Sequence, residues 1–284
     1  MFGWTQDDGA TQVGPDSLFQ SEEDIKKRVQ QFAHTLSDQD FDNIFSLYPA
    51  DDFAYDVDNY NARKEETDPS VSVHWFRASA IVRDLLFTCS SIEFGFEIDR
   101  QSRALDPDFK GVRLYDFNQT MLDPLFKGAG MPYLGVVHGS DVPYLLNGIM
   151  PEVDILGPDQ KLSSAFAESF LQFAYTGNPG YSGGILNGFA SWPEAFPKTA
   201  GIEAEVSEMN IQVIGGPYGT GSSHLHARKK IDISSDGMQM PMADNVEYND
   251  MESEIMKQRS RELERQKLFE RCEYFSSISK KLGR

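Results

Sequence analysis

Short strand-like segments alternate with amphipathic helices along this chain, and this alternation most constrains its fold. Residues 1–5 are mostly apolar and run into the turn Asp7-Asp8-Gly9, which indicates the end of a strand followed by a loop. Residues 112–117 alternate apolar and polar side chains, and residues 211–214 form a third, shorter candidate strand. Segments with helical periodicity lie between them. This order of elements predicts an α/β or α+β architecture.

Five segments have the spacing of helices. The first begins at Ser21, where Ser-Glu-Glu-Asp has the form of a capping box. Its apolar stripe comprises Ile25, Val29, Phe32 and Leu36. Further helices are predicted over 40–47, 73–87, 160–175 and 247–282, and the last of these is long and highly charged.

The segments between the helices are less well marked. Residues 51–70 are rich in Asp and Asn, which predicts an exposed loop, and residues 177–201 are rich in Gly and Pro. Phe94, Phe96 and Ile98 alternate, which is compatible with a short strand or with a disordered link. His224 and His226 lie in a predicted Gly/Ser-rich loop with no acidic or Cys partner at ligand spacing, so we expect them to be solvated.

The charge balance limits the partners of the chain. There are 44 acidic and 26 basic residues among 284, which gives a formal net charge of −18. Such a surface argues against nucleic acid or an anionic membrane as a partner. No apolar run approaches the roughly 20 residues that span a bilayer, and residues 1–14 do not have the features of a signal peptide.

Two cysteines, Cys89 and Cys272, are too few and too far apart for a zinc site of the usual spacing. From their number alone, a disulfide and two free buried thiols are both open. No phosphate-binding loop, dinucleotide fingerprint or His-x-x-His motif is present, so we expect neither a cofactor nor a metal.

The segment Gly135-Val-Val-His138-Gly-Ser-Asp141 is the first candidate for chemistry. A histidine on a loop after a strand, followed by Gly, is where α/β-hydrolases carry their general base. Imidazole suits that role because its unperturbed pKa of about 6.5 lies near working pH. The alternative is a loop histidine that is held by backbone contacts.

Two other segments invite a catalytic interpretation. Asp8, on the turn after the first strand, could orient a histidine, although Asp is also a common turn residue. Gly180-Tyr-Ser182-Gly-Gly184 matches the G-x-S-x-G pattern, but a nucleophile elbow needs a strand before the serine and a helix after it. Here a helix and Asn178-Pro179 precede the motif, so we do not expect Ser182 to be a nucleophile.

Several segments together resemble the type B carboxylesterases and cholinesterases, which are α/β-hydrolases. The segment 133–146, YLGVVHGSDVPYLL, is similar to the family's histidine segment, and 173–179, FAYTGNP, followed by Trp192-Pro193, is similar to a later motif. Upstream, 3–9, GWTQDDG, resembles the turn with the triad acid, with Asp8 where most members have Glu. The resemblance is best over residues 1–195, poor over 200–246, and returns in a C-terminal helix over 247–284.

The resemblance implies roles for particular residues. His138 would be the general base and Asp8 the carboxylate that orients it. Cys89 and Cys272 stand where cholinesterase-like members have a disulfide, which implies a bridge and an oxidising compartment. The implied fold is the C-terminal part of an α/β-hydrolase, with a partial central sheet and flanking helices, and the whole chain would be the C-terminal portion of one such domain.

The family's serine elbow and oxyanion-hole glycines have no counterpart in these 284 residues. We therefore expect a carboxylic-ester hydrolase fragment that is inactive alone, since the missing groups supply most of the rate. Its partners would be a small carboxylic ester and the missing N-terminal half, and the parent protein would enter the secretory pathway. The alternative is a non-catalytic binding or adhesion module.

Overall fold

The computed structural model describes residues 1–146, 157–180, 189–197, 206–227 and 250–283. The strands are β1 (Phe2–Thr5), β2 (Leu114–Phe117), β3 (Glu208–Ile214) and β4 (Gly221–His226). The helices before β2 are α1 (Ala10–Val13), α2 (Glu22–Gln30), α3 (Asp38–Leu47), α4 (Ala54–Arg63), α5 (Val73–Arg83) and α6 (Cys89–Leu105). Those after it are α7 (Asp123–Gly128), α8 (Val142–Leu145), α9 (Pro158–Thr176), α10 (Asp250–Arg265) and α11 (Leu268–Ser277).

The four strands form one mixed sheet in the order β1-β2-β3-β4. β1 and β2 are parallel, with Phe2 opposite Leu114, and β2 and β3 are parallel, with Tyr115 opposite Gln212. β3 and β4 are antiparallel neighbours in sequence, with Glu208 opposite His226. Within the described residues, β1 therefore has a neighbour on one side only.

Helices cover both faces of the sheet. Successive side chains of a strand point to opposite faces, so neighbouring residues of β2 pack against different helices. Leu114 packs with Ile92 of α6 and Leu263 of α10 on one face. Tyr115 packs with Phe166 of α9 and Trp192 on the other. The predicted α/β architecture, with a partial central sheet and flanking helices, is confirmed.

A larger helical core lies beside the sheet and carries the disulfide. It combines buried side chains of α1 to α6 with Phe275 of α11. Cys89, at the start of α6, is bonded to Cys272 in α11 across 183 positions of sequence, so the implied bridge is confirmed. No helix in the described ranges is long and apolar enough to cross a membrane.

Five of the predicted elements need correction. Residues 50–63 form a 3₁₀ turn and α4, because Phe53 and Tyr60, seven positions apart, bury one stripe of an otherwise polar segment. Residues 94–98 belong to α6, where the buried residues Ile92, Gly95 and Asp99 follow the helical repeat rather than alternation.

The last predicted helix is two helices, because Lys267 adopts φ 49° between α10 and α11. The segment with His224 and His226 is the strand β4. The helix that begins after Ser21 ends at Gln30, before Phe32, and the Ser21 hydroxyl donates to Asp24 instead of capping the backbone.

Candidate active site

Asp8 is held in a tight turn at the carboxyl end of β1. Its Oδ2 accepts from the backbone N–H of Thr5 at 3.0 Å, and its own N–H donates to the Thr5 carbonyl at 3.2 Å. A Cβ at Gly9 would overlap with the carbonyl oxygen of Ser79 in α5. The turn therefore packs directly against α5, and Asp8 is almost fully buried.

The loop that carries His138 is docked onto the same turn through Asp7. The Asp7 N–H donates to the Val136 carbonyl at 3.0 Å, and Asp7 Oδ2 accepts from the Val136 N–H at 2.9 Å. Gly135 has φ 70°, and a Cβ there would overlap with Asp7 Oδ2. A glycine is thus required at this position both for its backbone conformation and for the close approach.

The two docked segments bring His138 and Asp8 together. His138 Nδ1 lies 2.8 Å from Asp8 Oδ1, although the residues are 130 positions apart. The Asp8 side chain is 4% exposed and that of His138 is 53% exposed. A carboxylate at Nδ1 places the ring proton on that nitrogen, which leaves the lone pair on Nε2 at the opposite side of the ring.

An aromatic ring stacks on one face of the His138 imidazole. Phe87 lies in a π-helical turn over Asp84–Thr88, between α5 and α6. Its ring stacks on His138 with centroids 4.5 Å apart and planes inclined by 24°. The extra residue of a π-turn shifts the direction of neighbouring side chains relative to an α-helix, so this turn places Phe87 against the histidine.

His138 borders a groove of about 980 Å³ that runs beside β1. Apolar side chains form much of its wall, including Leu86, Phe87 and Phe94, and the Phe94 side chain is largely exposed. Among the described residues, no serine hydroxyl forms a hydrogen bond with His138. Ser182 lies outside the described residues.

Buried acidic groups surround the pair. Burial raises the pKa of Asp7 to about 6, although the Val136 N–H and the Arg83 guanidinium oppose the rise. Burial also raises the pKa of Asp141, whose Oδ2 accepts from the Tyr115 hydroxyl at 3.0 Å. Burial therefore disfavours additional ionised carboxylates beside the His138–Asp8 pair.

Sequence reasoning missed two residues that position the pair. The sequence indicates Asp7 only as part of a turn and Phe87 only as the end of a predicted helix. The sole signal for Asp7 was the doubled Asp7-Asp8 before Gly9. In the described part of the chain, the side chains that could jointly hold a metal ion are Glu208, His224 and His226, which lie on β3 and β4 and not in the groove.

Comparison with known proteins finds sequences similar to this chain. The sequence profile described as "Carboxylesterase family" matches residues 1–213. An inactive carboxylesterase-like protein of Byssochlamys spectabilis is 30% identical over 175 residues, which are 61% of this chain and 28% of that protein. A secreted lipase of Arthroderma benhamiae is 26% identical over 223 residues, which are 76% of this chain and 33% of that protein.

The fold also resembles a solved structure. The crystal structure of Aspergillus niger EstA superimposes with a TM-score of 0.50 at 13% identity, covering 99% of this chain and 40% of that one. This likeness concerns the fold alone.

The chain spans about a third of the length of the curated relatives that it matches.

Proposed function

This chain belongs to the carboxylesterase family, and we propose that it contributes the histidine and the acid of a serine-esterase triad. The observation that carries the proposal is the contact between His138 Nδ1 and Asp8 Oδ1 at 2.8 Å. It joins a buried carboxylate to an imidazole whose other side faces a groove.

The pair can move a proton in the way that acyl transfer requires. His138 Nε2 takes the proton of a serine hydroxyl as the serine attacks the ester carbonyl, and later returns it to the leaving alcohol. Asp8 holds the ring in the necessary tautomer and stabilises the imidazolium that forms. A water molecule, activated by the same nitrogen, then hydrolyses the acyl-serine.

The groove suits the hydrocarbon part of a carboxylic ester. Leu86, Phe87 and Phe94 offer apolar surface beside His138, and apolar walls with a few convergent polar groups are typical of small-molecule sites. The serine and the oxyanion donors are to be sought outside these 284 residues, since the chain spans only about a third of the length of its relatives. We therefore propose that this chain alone is inactive.

A second candidate function is non-catalytic. One relative is named an inactive carboxylesterase-like protein, so the scaffold can also serve a protein that does not hydrolyse esters. In that case the groove would bind a ligand or partner without turnover.

We also propose that the parent protein is secreted. The Cys89–Cys272 bridge favours an oxidising compartment, and one relative is named a secreted lipase.

The test begins with the full-length transcript, read from its 5′ end. If the reading frame continues upstream into a strand, a G-x-S-x-G turn and a helix, the extended protein and the 284-residue chain are both assayed with p-nitrophenyl butyrate. We expect turnover by the extended protein only. His138→Ala should lower kcat in the extended protein by on the order of a thousandfold or more, because the general base is lost.

His34→Ala is the matched control, because it removes an exposed histidine at another place. Turnover by the 284-residue chain that His138→Ala abolishes would refute the predicted inactivity. Unchanged kcat in the extended His138→Ala variant would refute the triad. If the message begins at Met1 and the chain is inactive, the non-catalytic function is favoured.

A further inference from the structure

Two histidines and a glutamate converge on the antiparallel pair β3 and β4. Glu208 lies directly opposite His226, and Asn210 lies opposite His224. A ligand-type atom of each of Glu208, His224 and His226 lies within 4.8 Å of the other two. This cluster and the His138–Asp8 pair lie at opposite edges of the described sheet. Asp8 follows β1, and β1 and β4 are the two outermost described strands.

The strand register creates the cluster. Met209 and Leu225 are buried and paired across the strands, so they fix the face that turns to the core. The alternate residues therefore point to the other face, where Glu208 is half-buried and both histidines are exposed. The His224 and His226 rings contact each other with centroids 4.3 Å apart.

A neighbouring amide sets the tautomer of His224. The Asn210 Nδ2 donates to the Glu194 carbonyl at 2.8 Å, and the Asn210 backbone N–H donates to the Ala195 carbonyl at 2.8 Å. The amide is thereby oriented with Oδ1 toward His224, whose Nδ1 lies 2.6 Å away. Since Oδ1 can only accept, Nδ1 carries the proton.

In a neutral His224 ring, this arrangement leaves the lone pair on Nε2, and Nε2 lies 3.3 Å from Glu208 Oε2. Tetrahedral zinc with Zn–N and Zn–O distances near 2.1 Å separates neighbouring ligand atoms by about 3.4 Å. The 3.3 Å separation of His224 Nε2 and Glu208 Oε2 is close to this value. Histidine ligands in metal sites commonly donate their second ring N–H to a carbonyl or carboxylate, as His224 does to Asn210.

We propose that Glu208, His224 and His226 bind a divalent transition-metal ion of the zinc class. Imidazole nitrogens suit zinc, and two of them with a carboxylate form a common zinc ligand set. Exposed His226 closes the site by a rotation of its side chain, and water takes the fourth position. The ion clamps the outermost described strand β4 to β3. This inference does not depend on the proposed esterase function.

The experiment is a calorimetric titration of Zn²⁺ into the untagged, metal-free 284-residue chain. We expect one ion per chain. His226→Gln should weaken binding at least tenfold, and Asn210→Ala should weaken it about 10–100-fold, as loss of an outer-shell partner does. His34→Gln is the matched control and should bind as the unaltered chain does, and so should His138→Gln.

A second readout is the visible absorption of Co²⁺, which reports low-coordinate nitrogen and oxygen ligation. Circular dichroism verifies that each variant is folded, and Glu208→Gln replaces His226→Gln if the latter is not. The proposal is overturned if the unaltered chain binds no Zn²⁺, or if the ligand variants bind as it does. Equal loss in His34→Gln or His138→Gln would also overturn it.

Discussion

The Gly135→Ala substitution tests how the histidine loop is held. Gly135 has φ 70°, so any L-residue there costs about 1–2 kcal/mol in backbone energy. Its new Cβ would also overlap with Asp7 Oδ2. Relieving that overlap displaces the loop and breaks the 2.9 Å hydrogen bond from the Val136 N–H to Asp7, which costs a further 1–3 kcal/mol or so for a buried group.

Gly130→Ala is the matched control. Gly130 has φ 74°, and nothing lies within 4 Å of the position of its Cβ, so it incurs only the backbone cost. We expect Gly135→Ala to lower the free energy of unfolding in urea by roughly 2–5 kcal/mol, against about 1–2 kcal/mol for Gly130→Ala. The difference measures the contact with Asp7.

A double-mutant cycle separates this contact from general loop damage. Asp7→Ala removes the carboxylate, so Gly135→Ala in that background should cost no more than Gly130→Ala does. In an active extended protein, a 1 Å displacement of His138 should lower kcat by about a hundredfold. The reasoning is refuted if the two glycine variants are equally stable, or if the extra cost of Gly135→Ala persists without Asp7.

Three further predictions concern other parts of the chain. Replacing Cys89 and Cys272 by serine should lower the free energy of unfolding by up to about 5 kcal/mol, because the bridge closes a loop across 183 positions; an unchanged urea midpoint would contradict this. Burial raises the pKa of Asp116 to about 7, so the folded state binds the Asp116 proton more tightly than the unfolded state does. The free energy of unfolding should therefore fall as pH rises from about 4 to about 7, by up to about 1.4 kcal/mol per pH unit. Asp116→Asn should flatten that slope in urea unfolding, and an unaltered slope would show that Asp116 does not cause it. Phe87→Ala and His138→Ala should couple by about 0.5–1.5 kcal/mol in a double-mutant cycle of stability, as a stacked pair does, whereas additive effects would argue against the stacking.

Local periodicity predicted the elements in which one face is strongly apolar. The helix over 160–175 corresponds to α9, and Gly177, in the left-handed conformation, ends it as the breaker residues indicated. Residues 50–63, which contain α4, bury only Phe53 and Tyr60. Their composition therefore resembles that of a loop. A helix stabilised by so few buried contacts depends on its neighbours, which local sequence does not contain.

Local patterns single out His138 and Asp8 as candidates, but only the family resemblance gives them a joint role. Asp8 and His138 are 130 positions apart, and no local rule connects them. The same limit applies to His224 and His226, which are exposed as expected but lie on a strand and not in a loop. Their acidic partner Glu208 lies on the adjacent strand, so it becomes visible only when the register of β3 and β4 is known.

The geometry of the His138–Asp8 pair depends on groups within this chain. Thr5 fixes the Asp8 carboxylate, Asp7 fixes the loop, and Phe87 supports the ring. The positioning of the proposed base is therefore separable from the supply of a nucleophile. Under the proposed function, a folded chain that retains these contacts but lacks turnover would locate the deficit in the nucleophile and the oxyanion donors, because the proposed base would already be in place. If the contacts form only in an extended protein, the added segment would have a structural role as well as the proposed chemical one.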